Sequence, residues 1–353
     1  MMIETTDSLV LHLQKHRPSD GSPLCAVDTE ANSLHRYREA LCLIQFAAND
    51  ESVLIDPLAV ADLSPLADYL AQATVWMHGA DYDMTMFKRE FGRLPAVVYD
   101  TQIGARLLGV RRFGLGDLVS HYFGIELSKS SQKADWGMRP LSAKMIEYAL
   151  NDVNYLIEMG GIISQKLHEL GRWDWFVESC ESARAKVLER DESKEESWRV
   201  RGSGKLDRRG LACLRALWEW RDAEAMAWDR PAFMVIPNRE LLDWCHVLVS
   251  GKPVSLPRHF RSDRVKRFRA AIAKLEALPP ESWPEKMIVK RRKRDREFDQ
   301  RIDSLLKLRE QAAKRYDLEG SLIAPRAALE SLAAGEFTPD ELLMTWQREC
   351  LGI

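Results

Sequence analysis

The sequence has little of what marks secreted, membrane or zinc-ribbon proteins. Its six cysteines (Cys25, Cys42, Cys180, Cys213, Cys245 and Cys350) are scattered and form no CxxC pair, which argues against both a zinc ribbon and a disulfide framework. No apolar stretch approaches the roughly 20 residues that cross a bilayer, and the amino terminus lacks the pattern of a secretory signal. The net charge is only -2, from 51 Lys and Arg against 53 Asp and Glu. We therefore expect a cytoplasmic protein with no membrane partner.

The composition is that of a soluble globular protein, with 46% hydrophobic and 29% charged residues, and 353 residues allow two or three domains. Between residues 23 and 100, short apolar runs alternate with helical patterns. The first three runs are joined by short turns and the later ones alternate with helices, which predicts an α/β domain with a mixed sheet. Residues 101–178 have a period of 3.6 and predict helices packed on that sheet.

The second half of the chain is predicted to be helical and to contain a repeat. A charged segment with Gly-Ser-Gly at 188–210 indicates a domain boundary. Sliding the chain on itself by 88 residues superposes five identical pairs: Arg221 and Arg309, Ala225 and Ala313, Asp229 and Asp317, Pro237 and Pro325, and Leu241 and Leu329. We interpret them as two copies of one small helical module, the second shorter and degenerate. Chance matches between helices of similar composition are the alternative.

Carboxylates mark the candidate site. Asp28 and Glu30 end an apolar run and, two residues apart on a strand, point to one face. Tyr148 and Asp152 are four residues apart and share one face of a predicted helix. Each pair also has a purely structural interpretation, as a solvated strand end or as a tyrosine packed beside an exposed acid.

A further acidic pair, Asp81 and Asp83, lies where a strand gives way to a helix, the place where α/β sheets gather ligands. Asp81 suits a helix N-cap. Asp83 is the better candidate to face the sheet edge.

Together these segments identify a family. Over about residues 20–170 the chain resembles ribonuclease D and its relatives in the DEDDy superfamily of 3′-to-5′ exonucleases. The segments that carry the resemblance occur in this order: DTE with LCLIQF, HGADYDM, DTQIGARLLG, KSSQKADWGMRPLS and YALNDVNYL. The helical half, in LRALWEWRDAEAMAWDRPAFMVIPNRELL, resembles the HRDC domain shared by helicases and ribonuclease D. The resemblance implies an α/β ribonuclease-H-like exonuclease domain with a mixed sheet, followed by one or two all-α HRDC-like modules. We place the exonuclease domain at 1–178, a charged linker at 179–204, the first module at 205–290 and the second at 291–353.

The resemblance also assigns roles. It implies that Asp28, Glu30, Asp83 and Asp152 are catalytic and bind two divalent ions, with Tyr148 as the tyrosine that orients the attacking water. Asp100 matches a family segment and is assigned to support. Because hard cations prefer oxygen ligands and no His or Cys cluster accompanies the acids, Mg²⁺ or Mn²⁺ is expected rather than zinc.

Several basic and aromatic residues are candidates for RNA contact. His35, Arg36 and Tyr37 lie between the first two predicted strands, and Lys290, Arg291 and Arg292 belong to a basic stretch at 286–301. Such residues position phosphates without reading sequence. The alternative for each group is a solvated loop or helix face.

The predicted function is a metal-dependent 3′-to-5′ exoribonuclease that releases nucleoside monophosphates from RNA 3′ ends, with precursors of transfer RNA or other structured RNA as substrates and no obligate protein partner. Two alternatives remain open: a noncatalytic RNA-binding protein and a DNA 3′-to-5′ exonuclease. The same acids serve both sugars, and the sequence identifies no contact to a 2′-hydroxyl.

Overall fold

The computed structural model describes residues 1–128, 130–190, 196–287 and 295–353. The strands of its sheet are β1 (Met2–Ile3), β2 (Leu24–Ala31), β3 (Leu41–Ala48), β4 (Glu51–Ile55), β5 (Thr74–Met77) and β6 (Val97–Asp100). The helices of the first half are α1 (Thr6–Lys15), α2 (Ser64–Leu70), α3 (Asp81–Phe91), α4 (Thr101–Leu107), α5 (Leu115–Phe123), α6 (Ala143–Asn154), α7 (Leu156–Glu169) and α8 (Trp173–Glu189). Those of the second half are α9 (Arg208–Trp228), α10 (Ala232–Val235), α11 (Asn238–Val249), α12 (Ser262–Glu276), α13 (Arg296–Tyr316), α14 (Gly320–Ile323), α15 (Arg326–Ala333), α16 (Pro339–Leu342) and α17 (Thr345–Leu351).

The sheet is mixed, as the sequence predicts. Its order is β1-β4-β3-β2-β5-β6. Strands β2, β3 and β4 form an antiparallel meander, whereas β5 and β6 run parallel to β2. Helix α2 lies in the connection that leads to β5, and α3 lies in the connection that leads to β6. The predicted neighbours are therefore confirmed, and Asp28 and Glu30 come near the carboxyl end of the central strand β2.

Alternation along the strands creates two apolar layers. Val27 and Phe46 face a core shared with α1, α2 and α3. Ala26, Ala47 and Trp76 face the opposite core, which α4 and the helices from α6 to α8 cover. The expectation that the helices after Asp100 pack on the sheet is confirmed, and the acids of β2 lie on the side that carries α6.

A close backbone approach fixes α7 on the sheet. A Cβ added at Gly160 would lie 2.5 Å from ring atoms of Trp76 on β5. Because real Cβ contacts do not come so close, glycine allows the helix to lie directly on the indole. Helix α7 follows α6 after Tyr155, so this contact also restrains the end of the helix that carries Tyr148 and Asp152.

The second half repeats one helical unit at the predicted offset of 88 residues. The first residues of α9 and α13 are 88 positions apart, and the same offset separates α10 from α14 and α11 from α15. The long helices end in left-handed caps at Asp229 and Asp317, both with φ of 50°. The repeated arginines also make the same bond, since Arg221 donates to the carbonyl of Ile236 at 3.2 Å and Arg309 to that of Ala324 at 3.4 Å.

The chain divides into two compact units. One comprises Met1–Ala31, Leu41–Arg190 and the described part of Arg292–Ile353, and the other comprises Asn32–Ala40 with the described part of Asp191–Arg291. Residues 179–189 of the predicted linker continue α8 as a regular helix, with Cys180 and Val187 buried. The domain boundaries stated above remain a prediction.

The second helical module belongs to the core of the first unit. Trp346 of α17 stacks on Trp175 of α8 with 5.1 Å between ring centroids. The Glu178 carboxylate accepts hydrogen bonds from the backbone N–H groups of Thr345 and Trp346. This module therefore packs on the exonuclease domain, which the sequence pattern did not indicate.

The structure also shows the state of the cysteines and the character of the helices. All six cysteine thiols are free, and five of them are buried. Among the residues that the structure describes, no helix has the length and apolar character needed to span a membrane.

Candidate active site

Three acids that are distant in the sequence meet at the centre of the sheet. Asp28 and Glu30 share one face of β2 and Asp152 comes from α6, and one carboxylate oxygen of each lies within 4.8 Å of the others. All three side chains are partly exposed. A cation can therefore reach the cluster from solvent.

Helix α6 supplies both of the residues predicted from it. The hydroxyl of Ser142 caps the helix by accepting from the N–H of Met145 at 3.3 Å. Tyr148 and Asp152 then lie on one face, and the phenol hydrogen-bonds to the Asp152 carboxylate. The spacing of four residues predicted this arrangement.

Asp83 lies beside the cluster in a more enclosed position. It is 5% exposed and accepts a hydrogen bond of 2.5 Å from the Thr29 hydroxyl of β2. Asp81 does not cap α3 as expected. The N-cap is Ala80, and the exposed Asp81 forms an ion pair with Arg190, so only Asp83 faces the sheet.

Burial and mutual repulsion shift the titration of these groups. Desolvation, followed by repulsion from Asp152 and Asp83, raises the pKa of Glu30 to about 9. Desolvation raises the pKa of Asp83 to about 7, with the Thr29 hydrogen bond opposing it, and that of Asp152 also to about 7, with the Tyr148 hydrogen bond opposing it. The pKa of Asp28 is raised by desolvation and by the three surrounding acids. The cluster is thus unfavourable as a set of bare charges and suited to a divalent cation.

The tyrosine is held as a neutral phenol. Desolvation, followed by the negative charges of Asp152 and Glu30, raises the pKa of Tyr148 above its ordinary value. The hydroxyl can therefore donate or accept a hydrogen bond but does not ionise near neutral pH.

Asp100 has the supporting position assigned to it. Its carboxylate accepts from the N–H groups of Gly79 and Ala80 at 2.9 Å and from that of Gln102 at 2.7 Å. It caps α4 and at the same time holds the turn that leads into α3. Asp100 thereby fixes the start of the helix that carries Asp83.

A loop before α6 contributes an ion pair that sequence reasoning missed. Arg139 makes a bidentate contact with Asp56, which is 2% exposed, and donates to the carbonyl of Cys42 at 2.7 Å. In the same loop the buried Trp136 packs against Tyr148, with ring centroids 6.0 Å apart. The loop therefore joins β3 and the end of β4 to Tyr148. The only signal in the sequence was an acid at the end of the apolar run SVLIDP.

Gln45 is a second residue that the sequence did not single out. It pairs with Asp28 across β2 and β3, so the two side chains share a face. Gln45 is fully buried, and neither side-chain amide atom has a hydrogen-bond partner among the described residues. A polar residue within the apolar run LCLIQFAA was the available signal.

The residues His35, Arg36 and Tyr37, predicted to contact RNA, make contacts with the helical segment that begins with α9. Arg36 forms an ion pair with Asp229 at 3.0 Å, Tyr37 donates its hydroxyl to Asp222 at 2.8 Å, and the carbonyl of His35 accepts from Arg230. Their role in RNA binding stays a prediction. Lys290, Arg291 and Arg292 lie outside the described residues.

The chain matches known families and proteins over most of its length. A family model described as 3′-5′ exonuclease matches residues 2–168, and one for the HRDC domain matches residues 210–247. Ribonuclease D of Sphingobium indicum is 32% identical over 344 residues, which cover 94% of this chain and 88% of that protein. Ribonuclease D of Escherichia coli K12 is 31% identical over 297 residues, which cover 81% of this chain and 78% of that protein.

Solved structures match almost the whole length of the chain. A crystal structure of a protein from Bifidobacterium adolescentis matches with a TM-score of 0.82 and 25% identity, covering 99% of this chain and 94% of that one. The crystal structure of Escherichia coli ribonuclease D, described as an exoribonuclease involved in structured RNA processing, matches with a TM-score of 0.75 and 26% identity, covering 100% of this chain and 96% of that one. The fold predicted from the sequence and the predicted enzyme class are confirmed. This chain belongs to the ribonuclease D family of 3′-to-5′ exoribonucleases.

Proposed function

We propose that the acid cluster hydrolyses the terminal phosphodiester of RNA with two divalent ions, Mg²⁺ or Mn²⁺, and releases nucleoside 5′-monophosphates one at a time. In the reaction water attacks the terminal phosphorus and the 3′ oxygen of the preceding nucleotide leaves, so the shortened RNA keeps a 3′-hydroxyl. The observation that carries the proposal is the convergence of Asp28, Glu30 and Asp152 oxygens within 4.8 Å, with Asp83 adjoining.

The donors fit hard divalent ions. All are carboxylate oxygens, which Mg²⁺ and Mn²⁺ prefer, and the repulsion that raises their pKa values is relieved when cations neutralise them. Asp28, Glu30, Asp83 and Asp152 would hold the ions. When bound, such ions supply an activated water and neutralise charge on the leaving oxygen.

Tyr148 is proposed to position the attacking water. Its hydroxyl is already held by Asp152 and its ring by Trp136, so its orientation is set before the substrate arrives. Because the phenol stays protonated near neutral pH, its contribution is a directed hydrogen bond rather than proton removal.

The proposed substrate is based on a relative of this chain. The relative from Escherichia coli is described as acting in structured RNA processing, and we propose RNA 3′ ends as the substrate here, with transfer RNA precursors among them. We further propose that the enzyme works in the cytoplasm without an obligate protein partner. The six free thiols are compatible with a reducing compartment.

The test uses the full-length protein and a 5′-labelled hairpin RNA with a single-stranded 3′ tail. With Mn²⁺ we expect a ladder of products shortened from the 3′ end and nucleoside 5′-monophosphates on chromatography. A circular RNA of the same sequence should remain intact. Cleavage of the circle, or release of 3′-monophosphates, would contradict the proposal.

Matched variants connect the activity to the site. Asp28→Asn should abolish the ladder, whereas Glu147→Gln, which removes an exposed acid from the same helix as Asp152, should leave it unchanged. A DNA hairpin of the same sequence decides between the sugars. Faster shortening of the DNA would favour the DNA exonuclease, and no shortening of either strand would favour the noncatalytic RNA-binding protein.

A further inference from the structure

A second cluster of metal-binding side chains lies away from the acids. His12 and His16 are four residues apart at the end of α1, and Glu51 begins β4. One possible ligand atom of each lies within 4.8 Å of the others. His12 packs edge-on against Phe46, whose side chain faces the opposite side of the sheet from Asp28. We propose that these three residues form a site for a divalent transition-metal ion of the Zn²⁺ type, which joins α1 to the hairpin of β3 and β4.

The spacing of the ligand atoms suits such an ion. Nε2 of His16 lies 3.2 Å from a carboxylate oxygen of Glu51. Bonds of about 2.0–2.2 Å in a tetrahedral zinc site place neighbouring nitrogen and oxygen ligands about 3.4 Å apart. Histidines four residues apart on a helix face can bind one ion together. The cluster therefore needs little rearrangement, and a water completes the fourth position.

The buried His12 ring is a second observation that points to a ligand site. The side chain is 5% exposed, and its buried Nε2 has no hydrogen-bond partner in the part of the chain that the structure describes. A buried polar atom without a partner is costly, and such atoms usually bind a protein group, a water or an ion.

A residue in the hairpin turn is placed to support His16. The side-chain amide nitrogen of Asn49 lies 3.2 Å from Nδ1 of His16. An ion on Nε2 requires the proton on Nδ1, and metal-binding histidines usually donate that proton to an oxygen. Rotation of the Asn49 amide by half a turn presents its oxygen there without moving the backbone.

Lys15 competes for the same position. Its ammonium group contacts the Glu51 oxygen that faces His16. The lysine side chain is 64% exposed, and an exposed pair of this kind contributes little stability. An ion can therefore displace the lysine into solvent. It follows that removing the ammonium group should strengthen metal binding.

The chemistry of the donors separates this site from the acid cluster. Imidazole nitrogen suits zinc and cobalt, whereas Mg²⁺ binds oxygen ligands and is not expected to occupy the histidine site. When Zn²⁺ is titrated into the Asp28→Asn protein in excess Mg²⁺, the acid cluster therefore contributes less to the measured Zn²⁺ binding. Failure of the proposed nuclease chemistry does not affect this measurement.

The experiment measures Zn²⁺ affinity of the full-length protein by competition with a chromophoric chelator. We expect one Zn²⁺ per chain, an increase in melting temperature on binding, and a visible absorption band of tetrahedral Co²⁺ when cobalt replaces zinc. His12→Gln and Glu51→Gln should each weaken binding by about 10-fold or more. Lys15→Met should tighten it by about two- to fivefold, which corresponds to the usual strength of an exposed ion pair.

Two results would overturn the proposal. One is an unchanged Zn²⁺ affinity in His12→Gln, which would place the ion elsewhere. The other is an affinity in Lys15→Met that does not rise, and because Lys15 is exposed this variant tests the site even when the histidine variants fold poorly. A purely structural role of the histidines predicts no effect of Lys15→Met on Zn²⁺ binding.

Discussion

Replacement of Asp152 by asparagine should stabilise the protein without metal and destabilise it, relative to the unchanged chain, when metal is present. Asparagine keeps an oxygen that can accept the hydrogen bond from Tyr148 but removes the negative charge. At pH 8 that charge is present in the unchanged protein, because the pKa of Asp152 is raised only to about 7. The variant therefore removes the charge together with its desolvation penalty and its repulsion from the neighbouring acids.

The separation of the carboxylates sets the magnitude. Oxygens of Asp28, Glu30 and Asp152 lie within 4.8 Å of one another. One pair of unit charges at that separation repels by about 0.9 kcal/mol at a dielectric constant of 80 and by about 3.5 kcal/mol at 20. At pH 8 Glu30, with a pKa of about 9, is largely neutral, whereas Asp83, with a pKa of about 7, is ionised. Taking one ionised neighbour at about this separation, we expect the free energy of unfolding of Asp152→Asn to be higher by about 1 to 3.5 kcal/mol in chelator.

Urea unfolding with and without Mn²⁺ provides the assay. At a Mn²⁺ concentration of 1,000 times its dissociation constant the unchanged protein should gain about 4.1 kcal/mol, and the variant should gain much less. The order of stability should then reverse. Glu147→Gln removes the same charge from an exposed position on α6 and should change stability by no more than about 0.5 kcal/mol in either condition.

The reasoning would be refuted by an Asp152→Asn protein that is less stable than the unchanged chain in chelator. It would equally be refuted by a Mn²⁺ stabilisation of the same size in both proteins, because the site would then not depend on this carboxylate.

Three further predictions follow from the same cluster. In chelator, the free energy of unfolding should fall as the pH rises from about 4 towards 9. The reason is that Asp83 and Asp152, with pKa values of about 7, and Glu30, with a pKa of about 9, keep protons that the unfolded chain has already lost. Saturating Mn²⁺ should flatten this dependence, and urea unfolding across the pH range measures it with and without the metal. Tyr148→Phe should lower kcat by about 10²-fold, because the attacking water loses its directed hydrogen bond. Mn²⁺ affinity should change little, since the carboxylates remain, and single-turnover kinetics with metal titration separate the two. Gln45→Met should raise the stability of the metal-free protein by about 1 to 3 kcal/mol, because it replaces a buried amide without described partners by an apolar chain of similar size; a loss of that size would show that the amide is satisfied.

The fold could be predicted where local pattern and global structure agree. The runs around Asp28, Leu43 and Leu54 are adjacent strands as predicted. A two-residue turn joins β3 to β4, whereas nine residues, 32–40, separate β2 from β3, where a short turn was expected. The repeat at 88 residues was visible because the turn after each long helix demands the same residues, including Asp229 and Asp317 in left-handed conformation. Contacts between distant segments carry no such local signature. The packing of Trp346 on Trp175 and the continuation of α8 through residues 179–189 were therefore not predictable from periodicity.

The acids could be predicted for a similar reason. Spacing of two on a strand and four on a helix placed Asp28 with Glu30 and Tyr148 with Asp152. The convergence of these pairs with Asp83 was an expectation from the family resemblance, not from spacing. Gln45 escaped notice because its position opposite Asp28 depends on strand register, which a single sequence does not determine.

The most direct measurement is anomalous diffraction from a crystal of the full-length protein soaked in Mn²⁺. The proposed function predicts two peaks in the acid cluster, within bonding distance of oxygens of Asp28, Glu30, Asp83 and Asp152. A well-ordered cluster without manganese, or peaks that avoid Asp28, would contradict it.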